Sequence, residues 1–384
     1  MKRKVAVVRG SNLNSWEMQN FTPLMDEYDL VGIASQQHNF DVSSIPFPVQ
    51  KKFSLGQSLK ARALRAPVTR LLGDYHDLVG LARALRGFDI VHAPDTMYYF
   101  TYQAARAKKN LGFKLVLTVW ENIPFLHDLP VTVKHKELIF SEADLYIAIS
   151  ERAKEVLILE GAPREKIRVQ MPGIDSRHFH PMEKDPELLK RFGCSRDDLI
   201  ILFVAHLDRE KGIYDLLYAF RVLLDGLRTG RRLRLLIGGK GREGPLLHQL
   251  IRKLRMEEDV KLIGTYPYDM MPHIHNLADV FVLPSIPTPD WQEQFGYVLV
   301  ESMACGKPVV STLSGSIPEV VGDAGILVQP NDFYSLAGAL GSLACNPDEC
   351  KRISARGRAR VTEVFDTGKV SAKYREFYRQ LFQG

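Results

Sequence analysis

Apolar and polar positions alternate along this chain in short blocks. Residues 4–8 form an apolar run with the length of a buried strand, and residues 30–34, 90–92, 114–119 and 145–149 repeat it. Between them lie stretches of helical period, such as 78–85 and 98–109. Strand, helix, strand in repetition predicts parallel strands with helical crossovers, hence a doubly wound α/β domain. The pattern lapses around residues 172–186. There Pro172, Gly173, Pro181 and Pro186 sit among charges, the mark of an interdomain linker. It then resumes, with strands predicted at 200–205, 234–237, 260–263, 280–283, 308–311 and 326–328. Helices are predicted at 213–227, 245–253, 296–304 and 316–321. A second doubly wound domain follows. Past Pro347 the tail is charged and helical, with Tyr374, Phe377, Tyr378 and Leu381 on one apolar face.

Composition narrows this picture little. Of 384 residues, 45% are hydrophobic and 25% charged, which excludes wholesale disorder, collagen and coiled coil. No apolar run approaches the ~20 residues that span a bilayer. Behind the leading Met-Lys-Arg-Lys only residues 5–8 are apolar, too short for a secretion signal, so a cytoplasmic location is expected. Cys194, Cys305, Cys345 and Cys350 have neither zinc-site nor disulfide-framework spacing and read as reduced thiols.

Charge is more informative. The net charge is +6, and residues 51–86 alone hold eight Lys or Arg against Asp74 and Asp77, the whole excess. The cations Lys51, Lys52, Lys60, Arg62, Arg65, Arg70, Arg83 and Arg86 are interleaved with Leu55, Leu59, Leu64, Leu71 and Leu72. This is either a solvated helical face or a peripheral contact with anionic lipid at the inner face of a membrane. No nucleic-acid partner is expected.

Doubly wound sheets bind ligands beyond the carboxyl ends of their strands, and two such domains predict a site between them. The loops after predicted strands therefore carry the candidates. His206-Leu207-Asp208-Arg209-Glu210-Lys211-Gly212 places a lysine and a glycine at a helix start, a means of holding phosphate. Gly239–Gly244 matches G-x-G-x-x-G, but the acidic residue at the right distance, Asp259, precedes its strand instead of ending it. A tight glycine turn is the better reading. Glu293 and Glu301 straddle a helix start and could grip two sets of hydroxyls on one extended ligand, or be ordinary helix and surface charges. Ser311-Thr312-Leu313-Ser314-Gly315-Ser316 is a second small-residue loop opening a helix. In the first half, Asp95 follows one strand and Trp120-Glu121-Asn122 another, with His127 beyond; each is as apt to be structural as functional.

Taken in order, these passages resemble glycosyltransferase family 4, retaining enzymes of the GT-B fold. Ile149-Ser150-Glu151-Arg152, Gly161-Ala162-Pro163 and Pro172-Gly173-Ile174-Asp175 are similar to the family's domain junction. Phe203-Val204-Ala205-His206 through Glu210-Lys211-Gly212 resembles its phosphate-binding stretch. Glu293-Gln294-Phe295-Gly296 through Glu301 resembles its paired-glutamate motif, and Ala304-Cys305-Gly306-Lys307-Pro308 with Pro318-Glu319-Val320-Val321 follow in register.

The resemblance implies two Rossmann-like domains facing across a deep cleft. An acceptor-binding domain would span 1–178, with a C-terminal helix of about 366–384 crossing back to it, and a donor-binding domain 179–365. It implies a hexosyl group moved from a UDP- or GDP-sugar to an acceptor hydroxyl with retention and no metal or other cofactor. Lys211 would contact the diphosphate, Glu293 the donor sugar and Glu301 the ribose. Phe295, Gly296, Gly315 and Ser316 would line sugar and phosphates, Ile263 would meet the base, and Gly10 and Ser11 would approach from the first domain. His206 and Arg209 would add positive potential beside Lys211. Asp95, Trp120, Glu121, Asn122 and His127 are the acceptor-side candidates, the acceptor being a saccharide, a lipid-linked sugar or a small molecule. His206 stands where the family usually has Arg. Trp120-Glu121 stands where it commonly has His, often followed by Asp. The competing readings are a nucleotide-sugar epimerase, a non-catalytic nucleotide-sugar binder, and a dinucleotide oxidoreductase resting on the glycine turn.

Overall fold

The computed structural model of the protein describes residues 2–59, 62–227 and 230–383. Lys60 of the basic stretch lies outside the described residues, as do the side chains of Arg62 and Leu64. The chain divides into two compact units, Met1–Gly173 with Thr367–Gly384, and Ile174–Asp366.

The first unit is built on strands β1 (Arg3–Gly10), β2 (Tyr28–Ser35), β3 (Val49–Lys52), β4 (Ile90–Pro94), β5 (Lys114–Val119), β6 (Leu145–Ala148) and β7 (Ile167–Val169). All pair in parallel, in the order β3-β2-β1-β4-β5-β6-β7. Helical crossovers cover both faces, so the central strands are largely apolar and β4 is buried at every residue. Helix Thr367–Gln380 completes this unit. Its Val370, Tyr374, Phe377 and Tyr378 join Val5, Val7, Phe21 and Leu30 in one core cluster. The Tyr378 hydroxyl lies 2.6 Å from Nδ1 of His92, and Nε2 of the same ring lies 2.6 Å from Thr118 Oγ1. Burial, reinforced by the Arg9 charge, drives the His92 pKa well below its usual value.

The second unit carries β8 (Leu199–Val204), β9 (Leu233–Gly238), β10 (Val260–Gly264), β11 (Val280–Leu283), β12 (Val309–Thr312) and β13 (Gly325–Val328). They pair in parallel in the order β10-β9-β8-β11-β12-β13. An isolated bridge between Ile174 and Asp366, with the Ile174 amide donating to Phe365 O at 2.7 Å, ties the two ends of this unit together.

In each sheet the strand order reverses once, between β1 and β4 and between β8 and β11. Connections on either side of such a point leave over opposite faces, so a crevice opens at the carboxyl ends. The predicted strands are present, and the structure adds two, β3 and β7. The helix expected at 78–85 is reduced to Leu81–Ala84. Arg9, just past the predicted run 4–8, is inside β1 and only 2% exposed. Its guanidinium bonds Glu17 Oε1 at 2.7 Å and the carbonyls of Val8 and His92 at 2.9 and 3.1 Å. No helix among the described residues is long and apolar enough to cross a membrane.

Candidate functional site

In the second unit the candidates gather at the reversal point. The loop leaving β8 runs through the short turn Arg209–Lys211 into helix Ile213–Gly226. The loop leaving β11 runs from Pro284 to Gly296 and opens helix Tyr297–Ala304. Because β8 and β11 are neighbours, the two loops meet. Lys211 Nζ lies 2.7 Å from Glu293 Oε2, and Ser285 Oγ donates to the same oxygen at 2.8 Å. The pair is largely withdrawn from solvent, with side-chain exposures of 17% and 9%. Lys211 Nζ also stands 4.4 Å from the centroid of the Trp291 ring.

The main chain around Glu293 is held as closely as its carboxylate. Its carbonyl accepts the Ser316 amide at 2.9 Å, from the loop after β12. Gly315 has φ +54, and a Cβ there would stand 2.0 Å from that carbonyl oxygen, so only glycine fits. Thr312 Oγ1 donates to Ser285 O, and the Ile286 amide donates to Glu210 O at 2.8 Å. Three strand ends thus fix one carboxylate.

Glu301 is held separately. It is buried in helix Tyr297–Ala304, and its Oε2 lies 3.1 Å from Nε2 of the fully buried His275. The Nδ1 of that ring lies 2.7 Å from Ser302 Oγ. The Phe295 ring is buried edge-on against Tyr297 and Phe365, leaving its backbone in the loop. Gly296 caps the helix at φ +82, and Ile263 is half-buried in β10. His206 and Arg209 are exposed at the same strand end. Neither is hydrogen-bonded or ion-paired to Lys211 or Glu293 among the described residues, and Arg209 lies over the Tyr214 ring at 5.6 Å.

The glycine turn after β9 is a packing device. A Cβ on Gly239 would sit 1.8 Å from Ala205 O, and one on Gly241 would sit 2.3 Å from Leu207 O. The turn lies backbone to backbone on the loop after β8, with Leu207 N–H donating to Lys240 O at 3.0 Å. Asp259 is paired with Arg232 at 2.9 Å, at the opposite end of the sheet from the strand carboxyl termini.

In the first unit Gly10 and Ser11 leave β1, Asp95 leaves β4 and Trp120 leaves β5, three adjacent strand ends. Ser11 is buried, and its hydroxyl has no hydrogen-bond partner among the described residues. Two carboxylates take four successive amides here. Asp95 Oδ1 accepts from Trp120 N–H at 2.6 Å and Glu121 N–H at 3.0 Å. Glu121 Oε1 accepts from Asn122 N–H and Ile123 N–H, both at 2.9 Å. The other Glu121 oxygen lies 3.2 Å from His127 Nε2, and the His127 side chain is 40% exposed. Burial, with the neighbouring Glu121 charge adding to it, outweighs the amide bonds and lifts the Asp95 pKa to about 7. The hydrogen bond to Glu121 raises that of His127. Glu121 is held low against its own burial by His127 and by the Ile123 and Asn122 amides. Asn122 is buried and its carbonyl accepts from Arg152 Nε at 3.2 Å, while Trp120 is half-buried. Among the described residues no group of three or more His, Cys, Asp or Glu is placed to hold a metal ion.

Two family models match the chain in succession, "Glycosyltransferase Family 4" over residues 38–178 and "Glycosyl transferases group 1" over residues 185–360. The chain belongs to the family 4 glycosyltransferases. A D-inositol 3-phosphate glycosyltransferase of Thermobifida fusca is 29% identical over 299 residues, covering 70% of this chain and 64% of its own length. A putative colanic acid biosynthesis glycosyltransferase of Escherichia coli is 33% identical over 239 residues, covering 61% and 56%. The chain thus spans less than two thirds of the length of these curated relatives. Among solved structures, HepE of Anabaena in complex with UDP superposes with a TM-score of 0.79 at 19% identity, covering 98% of this chain and 100% of that one. Sucrose-phosphate synthase from Thermosynechococcus elongatus does so at 0.79 and 18%, covering 99% of each. These likenesses give this family member the GT-B fold.

The residue types at the strand ends were legible in the sequence. Trp291 and Ser285, which complete the Glu293 site, and His275, which holds Glu301, were not. Trp291 lies two residues before Glu293 in a proline-rich loop, and that adjacency is the signal that could have found it.

Proposed function

We propose that the protein transfers a hexosyl group from a UDP- or GDP-sugar to an acceptor hydroxyl, with retention and without a metal. The observation that carries this reading is the Lys211–Glu293 pair, fixed at 2.7 Å where the sheet order reverses. Glycosyl transfer must stabilise a leaving nucleoside diphosphate. The bond from the anomeric carbon to the β-phosphate oxygen breaks, and a bond to the acceptor oxygen forms on the same face. The acceptor proton passes to the departing phosphate. Lys211 and the N-termini of helices Ile213–Gly226 and Tyr297–Ala304 supply the positive potential for that charge, each aligned donor being worth ~3–4 kcal/mol. Glu293 takes the sugar hydroxyls, Glu301 the ribose, and Ile263 lies by the base. HepE binding UDP on the same fold supports this. The strand ends of the first unit, with Gly10, Ser11, Asp95, Trp120, Glu121, Asn122 and His127, serve the acceptor.

The test is side-by-side thermal stabilisation by UDP, GDP and NAD, followed by product analysis with the matching nucleotide sugars. A ligand at a hundred times its dissociation constant adds ~2.7 kcal/mol. Stabilisation by one nucleoside diphosphate and a glycoside product are expected. Stabilisation by NAD alone rejects the reading. Donor conversion without an acceptor identifies an epimerase, and binding without turnover identifies a binder.

We also propose that residues 51–86 meet an anionic membrane surface. Both acids of the stretch are turned inward. Asp77 is buried and accepts the Leu55 and Gly56 amides at 3.1 and 2.8 Å, and Asp74 accepts the Tyr75 and Tyr99 amides at 2.7 and 3.1 Å. What faces water is Lys51, Arg70, Arg83 and Arg86 with Leu55, Val79 and Leu71, the last 74% exposed. Sedimentation with anionic vesicles at low salt, lost at high salt and in Arg70→Glu/Leu71→Ser, is expected. Equal, negligible binding to anionic and neutral vesicles overturns it.

A further inference from the structure

We propose that Trp291 is a positioning residue for this site: its indole face holds the Lys211 ammonium so that one N–H remains directed to a donor diphosphate. The inference rests on the transferase reading above. An ammonium has three N–H groups on a flexible four-carbon stem, and nothing intrinsic sets their direction. Here one is taken by Glu293 at 2.7 Å, and the indole stands against the head at 4.4 Å, well inside cation–π range. The third has no protein partner among the described residues.

The main chain that carries the indole is pinned. Thr288 and Trp291 exchange main-chain hydrogen bonds of 2.8 and 3.4 Å, closing a turn. Thr288 Oγ1 braces it by donating to Asp290 Oδ1 at 2.7 Å. The Ile286 amide bonds Glu210 O, so the start of this loop is pinned to the residue before Lys211. Pro284, Pro287 and Pro289 stiffen the same segment. Lys211 and Trp291 are therefore preset by a pinned, proline-rich loop rather than drawn together by ligand. Without the indole, the ammonium can swing wholly onto Glu293, and the diphosphate must compete for it.

The experiment is titration calorimetry of UDP and GDP against the intact protein and five variants. These are Trp291→Ala, Trp291→Phe, Trp291→Leu, Lys211→Met, and Lys211→Met with Trp291→Ala. For the nucleotide that binds the unmodified protein, Trp291→Ala and Trp291→Leu weaken binding about tenfold and Trp291→Phe about twofold. Leucine keeps bulk without an aromatic face, so parity of Leu with Ala separates electrostatic positioning from packing. In the Lys211→Met background, loss of the indole costs nothing further. Unchanged affinity in Trp291→Ala, full rescue by leucine, or equal losses in both backgrounds overturns the proposal alone. Failure of the unmodified protein to bind either nucleotide overturns it together with the transferase reading.

Discussion

Lys211 and Glu293 are 82 residues apart in sequence, and their charged atoms are 2.7 Å apart in the fold. The two charges are paired in a largely desolvated position, so removing either one deprives the other of its ion-pair partner. Lys211→Met and Glu293→Gln are each expected to cut transfer at least about a hundredfold while the protein stays folded. Circular dichroism and initial rates on the same preparations check this. Near-normal rates in both would remove the pair from the mechanism.

Gly315→Ala is a sharper probe of the same carboxylate, because it deletes no functional side chain. The added methyl falls 2.0 Å from the Glu293 carbonyl oxygen, and φ +54 already disfavours alanine. The Glu293 backbone must move. Donor KM should rise by about an order of magnitude or more, against a small change in melting temperature.

Asp95 gives the protein a pH dependence of known sign. Burial raises its pKa to about 7 in the folded state from the ordinary 3.8 of an unfolded chain, so the folded state holds the extra proton between those values. Its contribution to stability therefore falls as pH rises from about 4 to about 7 and is level above that. Asp95→Asn removes the slope. Melting temperatures of both proteins at pH 5 and pH 8 should show a smaller difference in the variant; an identical difference would mean that Asp95 titrates normally.

Tyr378→Phe deletes one hydroxyl from helix Thr367–Gln380 and leaves His92 Nδ1 buried without that partner. A buried group deprived of its hydrogen bond costs about 1–3 kcal/mol. Urea unfolding should show a lower midpoint. No shift would mean that the ring packing of Tyr378 alone carries the contact.

What the sequence disclosed, and what it withheld, follows from the range of each interaction. Apolar runs at 114–119 and 280–283 are strands because burial on both faces demands continuous apolar residues, a local signal. β3 was missed because a four-residue edge strand reading Val-Gln-Lys-Lys has no such run. The helix expected at 78–85 shrank because Asp77 turns inward to cap the Leu55 and Gly56 amides and Gly80 takes φ +75. Arg9 fell outside the predicted run 4–8 because one carbonyl that holds its charge inside the sheet lies 83 residues away. At the site, lysine and glutamate in loops after strands were visible, but their pairing and the indole against them come only from strand order.

The return of helix Thr367–Gln380 to the first unit bears on how the chain is made. Synthesis delivers β1 to β7 first and β8 to β13 next, yet Tyr374, Phe377 and Tyr378, which close the core beside Val5, Val7 and Phe21, follow both. On the ribosome the second unit can finish folding while the first still holds an open apolar seam. The unit begun first is closed only after the second has been made, and until helix Thr367–Gln380 has left the exit tunnel that seam stays uncovered.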